Sequence, residues 1–221
     1  MKTKKAVLFV QKTLIGSCLT LSVLVWGTVF ADTYEVSVTN LTKGQVFTPR
    51  LAITHIGGKL FTPGAPAIEQ LISIAESGDI EPLMTLLESF PQEVTDMAVG
   101  EGLLMPGESQ TITIDGDPGD FFSLVNMLIP TNDGFVALNG VSLPASGSET
   151  YRSVVYDAGS ETNDEICTNI PGPVCGGAGG SPTDEGEGYV YIHPGIHGIG
   201  DLDASEFDWR NPAAMVVIQK M

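Results

Sequence analysis

The chain has 221 residues, of which 27 are Asp or Glu and ten are Lys or Arg, so its formal net charge at pH 7 is −17. A surface of this sign repels the phosphates of nucleic acid and of anionic lipid, which argues against a nucleic-acid-binding protein. The length suffices for one domain with a sizeable hydrophobic core.

The first 31 residues have the pattern of an export signal. Lys2, Lys4 and Lys5 are followed by an apolar stretch from about Leu14 to Trp26, and the small residue Ala31 stands before the expected cleavage point. We therefore expect residues 1–31 to be a signal peptide and 32–221 to be one exported domain, located in the periplasm, at the cell surface or outside the cell. A lipoprotein signal at Cys18 and a retained membrane anchor are the alternatives, since the apolar stretch approaches the ~20 residues that span a bilayer.

The domain after the signal is more acidic than the whole chain. All 27 acids follow residue 31 but only six basic residues do, which gives a net charge of −21. No later segment is apolar enough to span a membrane, so we expect no membrane span in the mature chain.

Two strands are predicted at the start of the domain. The segment "TYEVSVTNLT" (33–42) alternates apolar and polar residues, as a half-buried strand does. The segment "FTPRLAITHI" (47–56) is predicted to be its partner, and Gly57-Gly58 ends it.

The period then changes to that of a helix. Apolar residues recur at helical spacing between Ala67 and Ala75, and Gly78 stops the run. A second helix is predicted from Asp79, a plausible cap, with Pro82 in its first turn.

The β pattern resumes in the rest of the chain. Short segments rich in β-branched or aromatic residues are separated by Gly, Pro, Asp and Asn. They are residues 109–114, 121–129, 135–143, 150–157, 188–196 and 213–221. The sequence therefore predicts a mainly β fold, an antiparallel β-sandwich of about eight strands with two short helices inserted after the second strand.

Cys167 and Cys175 are the cysteines that follow the predicted signal, and they bracket the short loop "CTNIPGPVC". A close pair of cysteines in an exported protein most often forms a disulfide, whereas a redox or metal role usually has C-x-x-C spacing. We expect a Cys167–Cys175 disulfide.

Acids and amides are concentrated in the predicted loops "DGDPGD" (115–120), "PTNDGF" (130–135) and "YDAGSETNDE" (156–165). Loops at one end of a sandwich can converge, and calcium takes six to eight oxygen ligands from such groups. The competing interpretation is that turns use Asp, Asn and Gly for backbone reasons alone. The stretch "DLDASEFDW" (201–209) is not an EF-hand, because Glu206 stands where the loop needs Gly, and we expect a surface turn there.

Two histidines, His193 and His197, are four residues apart, but Pro194 and Gly195 exclude a shared helix face. A turn could join them with Asp201 around a metal. Alternatively, one packs beside the sheet and the other hydrogen-bonds a carbonyl. His55 is expected to be an ordinary strand residue.

Four segments in order resemble the N-terminal spondin domain of F-spondin and mindin, and more closely the single-domain exported bacterial proteins that carry it. They are "FTPRLAITH", "PGAPAIEQLISIAESGDIEPLMTLL", "SLVNMLIPTNDGFVAL" and "YDAGSE". The likeness covers about Tyr34 to Lys220. It implies an antiparallel β-sandwich with helices inserted early, one calcium ion held by loop acids, and extracellular adhesion rather than catalysis.

The resemblance also implies ligands. The Asp of the family's P-S-P-D-W stretch falls on Asp133, and the first Asp of its D-A-G-T-D stretch falls on Asp157, with Glu161 in place of the second. Asp115 is the nearest candidate for a further upstream acid. The family's Trp after the first Asp is replaced by Gly134-Phe135. Of the other acids in 156–165, Asp164 and Glu165 are expected to be solvated.

These observations predict an exported, non-enzymatic, calcium-binding module that contacts an unknown protein or glycan partner at the cell surface, with adhesion as the role that the resemblance implies. The alternative is an exported hydrolase that uses paired carboxylates or a metal site at His193 and His197.

Overall fold

The structure is a computed structural model that describes residues 31–180 and 186–221. The predicted signal peptide up to residue 30, with Cys18, lies outside the described residues. Within them the chain forms eleven strands and three short α-helices. In order these are β1 (Asp32–Asn40), β2 (Val46–Phe47), β3 (Leu51–His55), α1 (Glu69–Ser77), α2 (Glu81–Glu88), β4 (Val94–Val99), β5 (Ser109–Gly116), β6 (Phe121–Ile129), β7 (Gly134–Ser142), β8 (Ser148–Ser153), β9 (Val155–Asp157), β10 (Tyr191–Ile192), α3 (Ala204–Phe207) and β11 (Ala214–Lys220).

The strands form two antiparallel sheets, which confirms the predicted mainly β sandwich. The smaller sheet has the order β5-β1-β11-β8, and the larger has the order β10-β9-β7-β6-β3-β4 with β2 paired to β6. One predicted pairing is wrong: β1 does not pair with 47–56. Val36 instead stands between Ile112 of β5 and Ile218 of β11, so the first and last strands of the domain are neighbours.

The main hydrophobic core lies between the two sheets. Tyr34, Val36 and Val38 of β1 are at most 1% exposed, whereas the intervening Glu35 faces solvent. They pack in one cluster with Phe122 and Leu124 of β6. Apolar and polar residues alternate along β1 because one face of the strand is buried and the other faces solvent.

The two helices cover the outer face of the larger sheet. Leu71 and Ile74 of α1 and Leu83 of α2 are buried in a second cluster with Ile53 and Val125. The helix α1 ends as predicted at Gly78, whose φ of 70° is the left-handed conformation that glycine adopts without steric cost. Two-sided burial explains why β6 lacks a clean alternation.

Cys167 and Cys175 form the predicted disulfide, with their Cα atoms 4.7 Å apart. It closes the loop that follows the acidic stretch 156–165. No helix in the described ranges is long and apolar enough to cross a membrane.

Candidate functional site

Asp133 is positioned by a tight turn between β6 and β7. The Thr131 hydroxyl donates to the Leu128 carbonyl oxygen at 2.5 Å and accepts from the Gly134 N–H at 3.0 Å. A Cβ at position 134 would lie only 2.7 Å from the Thr131 Oγ1 atom, so the turn requires glycine there.

The Asp133 carboxylate is wholly buried, and only one of its oxygens is satisfied. Its Oδ2 atom accepts from the backbone N–H groups of Ser160 at 2.8 Å and Glu161 at 3.1 Å, and from the Ser160 hydroxyl at 3.2 Å. Its Oδ1 atom has no hydrogen-bond partner. Burial raises the pKa of Asp133 although the two N–H donors oppose the shift.

Asp157 is the last residue of β9 and pairs with Gly134 of β7. Its Oδ1 atom accepts from the Gly159 N–H at 2.8 Å, and its Oδ2 atom accepts from the Asn163 amide nitrogen at 2.6 Å. The side chain is wholly buried. Burial, and next the nearby charge of Asp133, raise the pKa of Asp157 to about 7.

The loop after β9 folds over the β6–β7 turn and brings a third acid to it. Glu161 is wholly buried, and its backbone N–H is one of the donors to Asp133. Glu76 of α1 approaches from the helical layer. Burial raises the pKa of Glu76, a hydrogen bond with Ser160 lowers it, and the charge of Asp133 raises it again. We call Asp133, Asp157 and Glu161 the buried acid cluster.

His193 borders the buried acid cluster. Its Nδ1 atom accepts from the Gly195 N–H at 3.1 Å, so the neutral ring carries its proton on Nε2. That nitrogen has no hydrogen-bond partner and lies 3.8 Å from the Asp157 Oδ2 atom. The ring packs against Trp209, with the ring centroids 5.1 Å apart. Burial, followed by the charge of His197, lowers the pKa of His193 to about 3.

The cluster lacks a compensating cation from the described chain. No Lys or Arg in residues 31–180 and 186–221 forms an ion pair with Asp133 or Asp157. In the same part of the chain, no group of three or more His, Cys, Asp or Glu side chains stands ready to hold a metal ion. Burying a charge is costly unless it is paired, so these carboxylates either keep a proton or take a cation from solution.

Asp115 is not part of the cluster. It lies near the end of β5, where its backbone carbonyl accepts from Thr54 and its side chain accepts from Thr33. Thr54 pairs with Phe122, at the start of β6, whereas Asp133 follows the end of that strand. Nine residues of strand separate the two acids by roughly 27 Å. The structure therefore removes Asp115 from the candidate ligands.

The expectation that Glu165 is solvated is wrong, since its side chain is buried. Its two carboxylate oxygens accept from the backbone N–H groups of His197 at 2.5 Å and Ile199 at 2.9 Å. Asp164 is also engaged, with hydrogen bonds from the side-chain amides of Asn132 and Asn169. Both acids therefore hold the surrounding loops together.

The three histidines have separate environments. His197 is largely exposed, with Nδ1 3.8 Å from Glu165, while His193 faces Asp157. His55 lies on β3 as expected, and its Nε2 atom is 2.9 Å from the Ser123 hydroxyl oxygen. That serine is wholly buried and also accepts from the Gly140 N–H, so the pair serves as an internal hydrogen-bond bridge.

Neither a scan against protein-family models nor a search of the curated proteins finds a match for this chain.

Sequence reasoning missed two residues near the cluster, Asn163 and Glu76, and it missed the contact that His193 makes with Asp157. Asn163 lies within the acidic stretch, where an amide among acids is a usable signal for a carboxylate partner. Nothing in the sequence indicated that Glu76 lies near the cluster, because an acidic residue on a helix is usually expected to face solvent. His193 was singled out with His197, but its contact with Asp157 depends on long-range packing.

Proposed function

We propose that the chain is an exported, non-enzymatic, calcium-binding β-sandwich module. The supporting observation is the Asp133 carboxylate, which is wholly buried with its Oδ1 atom unpartnered. Desolvating an unpaired carboxylate costs several kcal/mol. One divalent cation between the β6–β7 turn and the loop after β9 would offset the charges of Asp133 and Asp157 together.

The donor set favours calcium among the common metals. Asp133, Asp157 and Glu161 offer carboxylate oxygens, and backbone carbonyls are the further oxygen donors that calcium commonly uses. Calcium accepts six to eight oxygens in flexible geometry, magnesium requires a near-ideal octahedron, and zinc prefers nitrogen and sulfur. Because the described side chains do not already form a group of three, we expect binding to include side-chain movement that orders the loop.

The resemblance to spondin domains supports the same assignment. It aligns Asp133 and Asp157 with family acids, and both residues belong to the buried acid cluster. By this analogy the module acts outside the cytoplasm, in adhesion or in contact with a protein or glycan partner. A shared fold carries function only as an analogy.

The hydrolase alternative has less support. Paired catalytic carboxylates must flank the bond that they cleave, but Asp133 and Asp157 are both wholly buried. At the histidines, Nδ1 of His193 is occupied by the Gly195 N–H, and His197 turns toward Glu165.

Calorimetric titration of the purified protein with calcium tests the proposal. We expect one ion per chain, with binding abolished in Asp133→Asn. Asp115→Asn is the matched control, since it makes the same chemical change at the other end of β6, and it should bind like the wild type. If the wild type showed neither a heat of binding nor a calcium-dependent rise in melting temperature, the proposal that the protein binds calcium would be wrong.

A further inference from the structure

The six basic residues after the predicted signal fall into two groups. Four have partners: Lys43 donates to the Ser205 carbonyl, Arg50 donates to the Gly102 carbonyl, Arg210 pairs with Asp208, and Lys220 pairs with Asp32. The other two, Lys59 and Arg152, make no hydrogen bond or ion pair in the described part of the chain. Two of the few cationic side chains of this acidic domain therefore have no partner within the described residues.

Both unused cations line the same cavity, which has a volume of about 290 Å³. Arg152 comes from β8 in one sheet, and Lys59 comes from the segment after β3 in the other. No Asp or Glu lines this cavity, although the domain has 27 acids and only six basic residues. The fold thus gathers positive charge at one concave point of a negative surface.

The rest of the lining is mostly apolar, with polar side chains at Asn139, Ser153 and Tyr156. Pro63, Leu138 and Val141 form the walls, and Tyr156 stands beside the cations. The Tyr156 ring is fixed by stacking on Phe135, with the centroids 5.6 Å apart. Its hydroxyl makes no hydrogen bond within the described ranges, so it remains a donor for a ligand.

We propose that this cavity, the Lys59–Arg152 cavity, binds the carboxylate of a small organic acid whose ring or short chain rests on the apolar walls. A guanidinium presents a planar pair of N–H donors that matches a carboxylate, and an ammonium adds a point charge. The volume is at the lower end for ligand sites, so the ligand is small.

The net charge of the domain favours a small anion over a polyanion as the ligand. A domain of −21 repels polyanions such as nucleic acid over long distances. A single carboxylate experiences little of that repulsion, because the Debye length at physiological ionic strength is ~8 Å and the two cations lie within the cavity itself. This site is independent of the calcium proposal, because successive side chains of β9 point in opposite directions and Tyr156 therefore leaves the strand on the side opposite Asp157.

Calorimetry or chemical-shift titration of the purified protein with three ligands tests the inference: glucuronate as an acidic sugar, benzoate as a hydrocarbon acid and glucose as a neutral control. We expect binding of at least one acid and none of glucose. Binding of glucuronate alone identifies a saccharide acid, and binding of benzoate alone identifies a hydrocarbon acid. Binding of glucose as tight as that of the acids would overturn the proposal.

Variants separate local recognition from net charge. Arg152→Gln and Lys59→Gln change exposed side chains, and each should weaken the acid at least tenfold. Lys43→Gln removes the same charge away from the cavity and should leave the affinity unchanged. No binding of either acid at millimolar concentration, or an equal loss in Lys43→Gln, would overturn the proposal. Asp133→Asn should still bind the acid, so failure of the calcium site remains a separate result.

Discussion

Asp157 pairs with Gly134 across the β7–β9 ladder, and the backbone N–H of the next residue, Ala158, donates to the Asp133 carbonyl oxygen at 3.2 Å. This register brings the carboxylates of Asp133 and Asp157 to the same end of the larger sheet, where both are wholly buried. Two like charges placed together out of water destabilise the fold until a proton or a cation neutralises them.

Calcium should raise the melting temperature of the wild-type protein. A ligand that binds only the native state at 100 times its Kd stabilises by about 2.7 kcal/mol, which is roughly 5–10 °C for a domain of this size. Asp157→Asn should abolish this rise, and Asp115→Asn should preserve it. A rise of equal size in the Asp157 variant, measured by differential scanning calorimetry, would contradict the ligand assignment.

Without calcium, Asp157 should make the protein less stable as the pH increases. Its pKa is raised from 3.8 to about 7 in the folded state, so the folded protein keeps a proton that the unfolded chain loses. The free energy of unfolding therefore falls between about pH 4 and pH 7, by on the order of 4 kcal/mol if Asp157 acts alone. Urea unfolding in a chelator should show this fall in a variant that lacks the His193 contribution, and Asp157→Asn should be more stable than the wild type at pH 7.

His193 has the opposite pH dependence. Its pKa is lowered from 6.5 to about 3 in the folded state. Between these two pH values the histidine is protonated in the unfolded chain but neutral in the folded protein. Stability is therefore lost as the pH decreases below 6.5, by up to about 5 kcal/mol near pH 3. Because Asp157 and His193 oppose each other between about pH 4 and pH 6.5, the wild type should vary little there.

The single variant His193→Gln exposes the Asp157 contribution alone. Its free energy of unfolding should fall as the pH increases from 4 to 7 in calcium-free buffer, whereas that of Asp157→Asn should increase over the lower part of the same range. Parallel pH profiles for the two variants would show that the two groups do not act as assigned.

The sequence predicted those strands and helices that bury the same face along their whole length, because their apolar residues then recur at a regular spacing. The alternation of β1 and the helical spacing of α1 were sufficient, because each buries a single face. Strand β4 was missed, since its residues are mostly half-buried and show no alternation. In 188–196 only Tyr191 and Ile192 form a strand, because Pro194 and the glycine after it interrupt the pairing.

Pairing and side-chain partners depended on contacts distant in sequence. Nothing local in "TYEVSVTNLT" indicates that its neighbours are the last strand and β5 rather than the next segment. The same limit applies to the site: Asp133 and Asp157 were marked by loop position and by the resemblance. The burial of Glu165 was not predictable, because its partners are backbone groups of residues 197 and 199.

Replacing Glu165 tests whether it ties the acidic stretch to the loop at 197–199. Glu165→Gln would present an amide N–H₂ to at least one of the two N–H donors that now face carboxylate oxygens. Hydrogen bonds to a charged group contribute about 1.5–3 kcal/mol each, so we expect a loss of roughly 2–3 kcal/mol in the free energy of unfolding. Glu206→Gln, at an exposed position of α3, is the matched control and should change stability by less than about 0.5 kcal/mol. Equal urea midpoints for the two variants would show that Glu165 behaves as a surface acid, and hydrogen exchange at the His197 and Ile199 amides should accelerate in the Glu165 variant alone because those amides lose their acceptor.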